Sequence, residues 1–185
     1  LSSRCVYSNS QKSPVGENGG IAPINYYGIS KYSGELLCDY YNRNFGTNIK
    51  ILRLSQVIGN DPNGYLVNLY TDNAAAGKPL LIYGNSVGRR DYIYVKDACR
   101  AIWLSLQKYA LCGVFNIGSG IGTTNKELAN AVIDGFCSAS EIEVCGDKKE
   151  DTSVCYLDTS KAKNELEFEC RYSLTEAFRD LSKQK

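Results

Sequence analysis

Asn48-Ile49-Lys50-Ile51-Leu52-Arg53-Leu54-Ser55-Gln56-Val57-Ile58 sets Ile49, Ile51, Leu52 and Leu54 too close together for a strand with one wet face. A half-exposed strand alternates apolar and polar residues, whereas one covered on both faces reads as a nearly continuous apolar run. The stretch therefore predicts a strand buried on both sides, as in a parallel sheet. Before it, Tyr32, Leu36, Leu37, Tyr40 and Tyr41 recur at helical spacing across residues 25–44, and Gly46 ends the pattern. Further out, residues 1–7 read as the end of a strand and are followed by a Ser/Asn/Gly/Pro-rich loop to about Pro23.

On the C-terminal side, Asp61-Pro62-Asn63-Gly64 reads as a turn, residues 65–76 as a helix closed by Gly77, and residues 80–83 and 91–95 as short strands. Residues 97–108 read as a helix and residues 113–117 as a strand. Thr124-Asn125-Lys126-Glu127 and Ser173-Leu174-Thr175-Glu176 both carry capping-box spacing and open two more helices. Helices and strands alternate throughout, which indicates α/β layering. No internal repeat or low-complexity segment interrupts them.

Composition removes several kinds of chemistry. The 185 residues contain no His, which excludes Ser-His-Asp and Cys-His nucleophile systems and any His-ligated metal, so no metal site is expected. Lys plus Arg number 21 against 20 Asp plus Glu, and this balance, without a basic run, offers no footprint for nucleic acid or an anionic membrane. No apolar run is long enough to span a bilayer. Met is absent even at position 1, and Leu1-Ser2-Ser3 lacks a signal-peptide pattern, so the natural N-terminus is expected upstream. The eight cysteines form no CxxC pair and are expected to be reduced thiols serving as small buried hydrophobes, which implies a cytoplasmic setting.

Tyr27-Gly28-Ile29-Ser30-Lys31 puts a phenol and an ammonium four residues apart, on one face of the predicted helix. A tyrosine that acts as a base near neutral pH must titrate about 3 units below its usual value, and a nearby lysine favours the phenolate. Chance alone supplies a pair at this spacing. A second one, Tyr92 and Lys96, lies mostly in strand-like sequence and is read as structural. Ser3 ends the first predicted strand, at the side of a parallel sheet where ligands bind. Gly118-Ser119-Gly120-Ile121-Gly122 has GxGxG spacing instead of GxGxxG and reads as a connecting loop.

Six blocks in order carry a resemblance: residues 2–7; Tyr27 to Lys31 with Glu35; Leu52-Arg53-Leu54 to Gly59; Arg90 to Asp97; Phe115-Asn116-Ile117-Gly118-Ser119-Gly120; and Asp158-Thr159-Ser160-Lys161-Ala162. Together they resemble the extended short-chain dehydrogenase/reductase family, in particular its nucleotide-sugar epimerases and dehydratases. The resemblance implies the C-terminal part of a Rossmann-type doubly wound parallel sheet with a smaller α/β substrate-binding lobe. Residues 1–59 and 91–118 would belong to the cofactor domain, and residues 60–90 and 119–185 to the lobe. It also implies NAD as cofactor, with NADP not excluded because the glycine-rich turn and the acidic residue after it lie outside the chain. A homodimer of the full-length protein is implied as well. The isolated chain is expected to bind no dinucleotide and to be poorly stable, with exposed strand edges.

By the same resemblance Tyr27 is the acid/base, Lys31 holds the nicotinamide ribose and favours the phenolate, and Ser3 bonds the reacting sugar hydroxyl. Leu54 and Val57 line the cofactor, and Gln56 stands where relatives often carry Asn beside the substrate. Arg90 and Lys148 are the implied diphosphate contacts, and Arg89 is read as a solvated neighbour. Cys155 takes the place of a bulky residue that closes the sugar pocket to N-acetyl groups in some epimerases. The resembling dehydratases carry an Asp-Glu pair after the catalytic hydroxyl residue, where this chain has Arg4 and Cys5. Without those carboxylates elimination lacks its acid and base, which leaves a 4-epimerase working through a transient 4-keto sugar as the expected activity. A UDP-hexose or UDP-N-acetylhexosamine is the expected substrate. A reductase is the nearest competitor, followed by a non-catalytic binding relative; an RNA-binding relative is disfavoured by the neutral charge.

Overall fold

The computed structural model describes residues 1–8, 12–60, 65–146 and 151–184. The expected turn at 61–64 and Lys148 lie outside the described residues. Three parallel strands form the main sheet in the order β1-β2-β7: β1 (Ser2–Ser3), β2 (Lys50–Leu54) and β7 (Gly113–Ile117). Ser3 pairs with Leu54, and Leu54 in turn with Ile117. Parallel pairs also join β3 (Gln56–Ile58) to β6 (Tyr92–Tyr94), β4 (Leu80–Tyr83) to β8 (Ile142–Cys145), and β5 (Arg89–Arg90) to β9 (Val154–Cys155).

The central strand is covered on both faces, as its sequence predicts. On one side Leu52 packs with Phe115, Ile117, Ala98, Ala101, Ala162 and Leu166, so that α3 (Val95–Gln107) and α5 (Ser160–Leu166) cover the sheet. Burying each large side chain of this kind contributes about 1.5–3 kcal/mol. On the other side α1 (Tyr26–Phe45) covers Ile51 and Arg53. A second core gathers Ile58, Tyr92 and Tyr94 with residues of α2 (Tyr65–Ala75), α4 (Asn125–Phe136) and α6 (Leu174–Ser182). None of these helices is long and apolar enough to cross a membrane.

Arg53 is the exception inside the apolar strand, and its partners explain it. The guanidinium donates to both oxygens of Glu35 on α1, at 2.9 and 2.6 Å, to the Tyr7 hydroxyl at 2.8 Å and to the Glu17 carbonyl at 2.9 Å. The Tyr7 hydroxyl in turn donates to Asn116 Oδ1 at 2.7 Å, and the Asn116 amide donates to the Val15 carbonyl at 2.8 Å. Burial raises the Tyr7 phenol above its usual range. A buried ion pair needs such further bonds to offset the loss of hydration.

Several local expectations are corrected. The strand expected over 48–58 breaks at Ser55, where one backbone donor goes to Ile117 in the main sheet and the next, on Gln56, goes 3.0 Å to Asp91 beside β6. The chain changes sheets there, a tertiary event that hydrophobic pattern does not encode. Strand structure at the start covers only Ser2–Ser3 and gives way to a 3-10 turn over Arg4–Val6. The strand expected over 91–95 is Tyr92–Tyr94, with α3 starting at Val95. Strands β5, β8 and β9 and helix α5 were not expected; they are short and owe their form to pairing and packing more than to periodicity. All eight cysteines are free, but only Cys155 is fully buried, and Cys99, Cys112 and Cys137 are exposed. Both capping boxes form as read, at Thr124/Glu127 and Ser173/Glu176.

Candidate active site

The site is built where β1 and β2 end and α1 begins. Ser3 closes β1 and its Oγ accepts the Cys5 N–H at 3.3 Å, so the hydroxyl sits at the head of the 3-10 turn. Asn25 caps α1 by accepting the Gly28 N–H at 2.8 Å. Gly28 is the point of closest approach: a Cβ there would overlap the Cys5 carbonyl and lie 2.9 Å from Pro23 Cβ. Only glycine lets the first turn of α1 lie against the turn that follows Ser3.

Tyr27 precedes that contact and is 53% exposed. Lys31, one helical turn on, holds its Nζ 5.5 Å from the centroid of the Tyr27 ring. The phenol and the ammonium therefore share one face of α1, as the four-residue spacing implied. At the end of β2, Leu54 is partly buried, Gln56 is half-buried and Val57 is 41% exposed. Between them the Ser55 hydroxyl is buried with no hydrogen-bond partner among the described residues. No described cluster of His, Cys, Asp and Glu has the composition to hold a metal ion.

Arg90 on β5 lies opposite Cys155 on β9. Its guanidinium donates to the Arg89 carbonyl at 3.0 Å, to the Ser153 carbonyl, to Ser153 Oγ at 2.7 Å and to the Asp151 carboxylate. The Ser153 hydroxyl and amide, together with the Arg90 charge, pull the Asp151 carboxyl down to about 2. Arg90, Asp151 and Ser153 border a cavity of about 130 Å³ whose other walls include Arg4, Cys5 and Asn25. Cys155 itself is only 4% exposed. Arg89 is not merely solvated, since it donates to the Gly122 carbonyl at 2.6 Å. Lys96 is bound to Asp180 at 2.5 Å, a structural use.

A larger cavity, of about 490 Å³, opens elsewhere, between the loop at Gly118 and the segment holding Cys170 and Tyr172. It contains none of Ser3, Tyr27, Lys31 or Arg90. The GxGxG loop beside it is already committed: Asp91 accepts from Ser119 N and Oγ at 2.8 Å each and from Gly120 N at 3.2 Å. Burial raises the Asp91 carboxyl, and these bonds work in the opposite direction. An internal carboxylate thus takes the amides that a phosphate loop would offer. Asp91 and Asp151 escaped the sequence reading as partners because each depends on segments far apart in the chain.

A parallel sheet with helices on both faces, and polar residues gathered where its strands end, defines the Rossmann-type α/β class. The chain belongs to the NAD dependent epimerase/dehydratase family, whose model matches residues 1–118. It is 31% identical over 163 residues to a putative UDP-glucose 4-epimerase of Methanocaldococcus jannaschii, covering 86% of this chain and 53% of that protein. It is 30% identical to the dTDP-glucose 4,6-dehydratase of Streptomyces niveus, covering 92% of this chain and 52% of that protein. Among solved structures, the UDP-N-acetylglucosamine 4-epimerase from Bacillus cereus superposes with a TM-score of 0.89 at 32% identity, covering 99% of this chain and 62% of that one. The chain spans about half the length of these curated relatives.

Proposed function

We propose that this chain is part of an NAD-dependent nucleotide-sugar 4-epimerase acting on a UDP-hexose or UDP-N-acetylhexosamine. The observation that carries the reading is the Tyr27–Lys31 pair, held on one face of α1 beside the turn that Ser3 heads. In this reading Ser3 hydrogen-bonds the sugar 4-hydroxyl and Tyr27 takes its proton, later returning it to the 4-keto sugar. The Lys31 ammonium stabilises the phenolate charge. Bound NAD would supply reversible hydride acceptance. Lys31, Leu54 and Val57 would hold its nicotinamide end. The sequence has no GxGxxG turn, so none of its residues is assigned to the pyrophosphate.

Residues 1–59 and 91–118 would form the cofactor-binding part, with the remainder as a substrate lobe. Gln56, Arg90 and Lys148 would face the substrate. The chain also shares 30% identity with a dehydratase, but Arg4 and Cys5 follow Ser3 here, and neither can serve as the carboxylate acid or base of elimination.

The test is proton NMR of UDP-N-acetylglucosamine, and separately of UDP-glucose, with the full-length protein and a trace of NAD. The expected result is a galacto epimer without net nicotinamide turnover, lost about a hundredfold or more in Tyr27→Phe. Stoichiometric consumption of NADH would instead establish a reductase, and a 4-keto-6-deoxy product a dehydratase.

A further inference from the structure

Lys31 stands midway along one stripe of α1, with Tyr27 four residues before it and Glu35 four residues after it. Residues at that spacing are neighbours on a helix, so the ammonium has a phenol on one side and a carboxylate on the other. An ion pair is the ordinary outcome for a lysine and a glutamate so placed. Here Lys31 Nζ lies 5.5 Å from the centroid of the Tyr27 ring, and no ion pair joins it to a carboxylate among the described residues. The carboxylate is already taken. Arg53 meets both oxygens of Glu35, at 2.9 and 2.6 Å, and the Ser2 hydroxyl donates to Oε1. Ser2 and Arg53 are register partners on β1 and β2, each one residue before a residue of the candidate site, Ser3 and Leu54. Arg53 is fixed in its turn by the Tyr7 hydroxyl and the Glu17 carbonyl.

We propose that Arg53 is a positioning residue that acts through Lys31: by occupying Glu35 it keeps the ammonium free for the Tyr27 phenol. Without the guanidinium, Glu35 would be a buried carboxylate stripped of its counter-ion, a state that draws in any cation within reach. Within one turn of Glu35 on its own helix, at positions 31, 32, 38 and 39, the only cation is Lys31. An ammonium shared with that carboxylate gives less support to a phenolate. The other titratable or charged groups around the stripe are Tyr32, Cys38 and Asp39 on α1, with Asp39 paired to Arg43 at 2.8 Å. Arg4 and Cys5 come from the 3-10 turn against the first turn of α1, and Tyr7 and Glu17 from the segment beyond it. The inference rests on the reading above for the role of Tyr27 as acid/base.

NMR of the full-length protein, with tyrosine isotope-labelled at Cζ and no substrate present, follows the titration of Tyr27, its signal assigned by Tyr27→Phe. Lys31→Met is expected to raise the midpoint by about 0.5 pH unit, the effect of one unit charge at this separation in water-like surroundings. Arg53→Met should raise it by a comparable amount, and should add nothing when Lys31→Met is already present. Arg53→Lys keeps a cation on Glu35 and should titrate near wild type. Glu35→Leu with Arg53→Met removes holder and competitor together, and should also titrate as wild type; this variant decides if Arg53→Met does not fold. A wild-type midpoint in Lys31→Met or in Arg53→Met overturns the proposal. So does a midpoint raised as far in the Glu35→Leu/Arg53→Met variant as in Lys31→Met, since loss of the pair alone would then disturb the site. Epimerisation with an Arg53-independent Tyr27 midpoint sinks this inference alone; the expected midpoints without epimerisation sink the 4-epimerase reading alone.

Discussion

At the scale of single residues, the candidate site depends on one close approach. The Gly28 Cα hydrogens face the Cys5 carbonyl and Pro23, and Tyr27 and Lys31 owe their position to that contact. Gly28→Ala is expected to push the first turn of α1 away, destabilising the protein by about 1–3 kcal/mol, as overpacking does. The check is a chemical melt combined with epimerase assay, with activity falling further than the loss of folded protein explains. A wild-type melt and activity would mean that α1 can shift freely. Gly34, on the same helix, has open space where a Cβ would go and serves as the control for helix propensity.

Among elements, the join between α1 and β2 is made by charge as much as by apolar packing. Glu35 and Arg53 are each about 5% exposed in their side chains, and they bring Ser2, Tyr7 and Asn116 into one network. Removing one member leaves the other charge buried and unpaired. Glu35→Ala is accordingly expected to cost about 3–5 kcal/mol, measured by urea denaturation, whereas Glu35→Leu with Arg53→Met should cost markedly less. A single variant no worse than the double would show that water reaches the site. The legibility of the sequence varies at this scale. Strand β2 was readable because its apolar run is continuous, and α4 and α6 because their capping boxes are local. The two-residue strands β5 and β9 were not readable, since only their pairing with each other defines them.

For the whole molecule, acid is the informative variable. The carboxyls of Asp151, Asp158, Glu127, Glu167, Glu176 and Asp180 are all lowered, through hydrogen bonds or a facing cation. A lowered carboxyl stabilises the fold above its unfolded value, and that contribution disappears as pH falls through the folded value. For Asp151 the window runs from 3.8 down to about 2. Buried Asp91 is raised and acts in the opposite sense, because its ionised form is the costly one. Six lowered groups against this one predict a melting temperature that drops steadily from about pH 4.5 to pH 2, with a smaller drop in Asp151→Asn. A flat profile in wild-type protein would show that these surface contacts are averaged out by solvent.

The sequence by itself determined the layered α/β class, the buried central strand, the two capped helices and the pairing of Tyr27 with Lys31. Each of these is written in contacts within a few residues or in a hydrophobic period. Only the tertiary structure decided that β2 ends at Ser55 by changing sheets, that Asp91 fills the amides of the GxGxG loop, and that Arg90 is held by Asp151 and Ser153. Those facts depend on which distant segments meet, and whether a buried charge is cancelled or available depends on the partner brought to it from elsewhere in the chain.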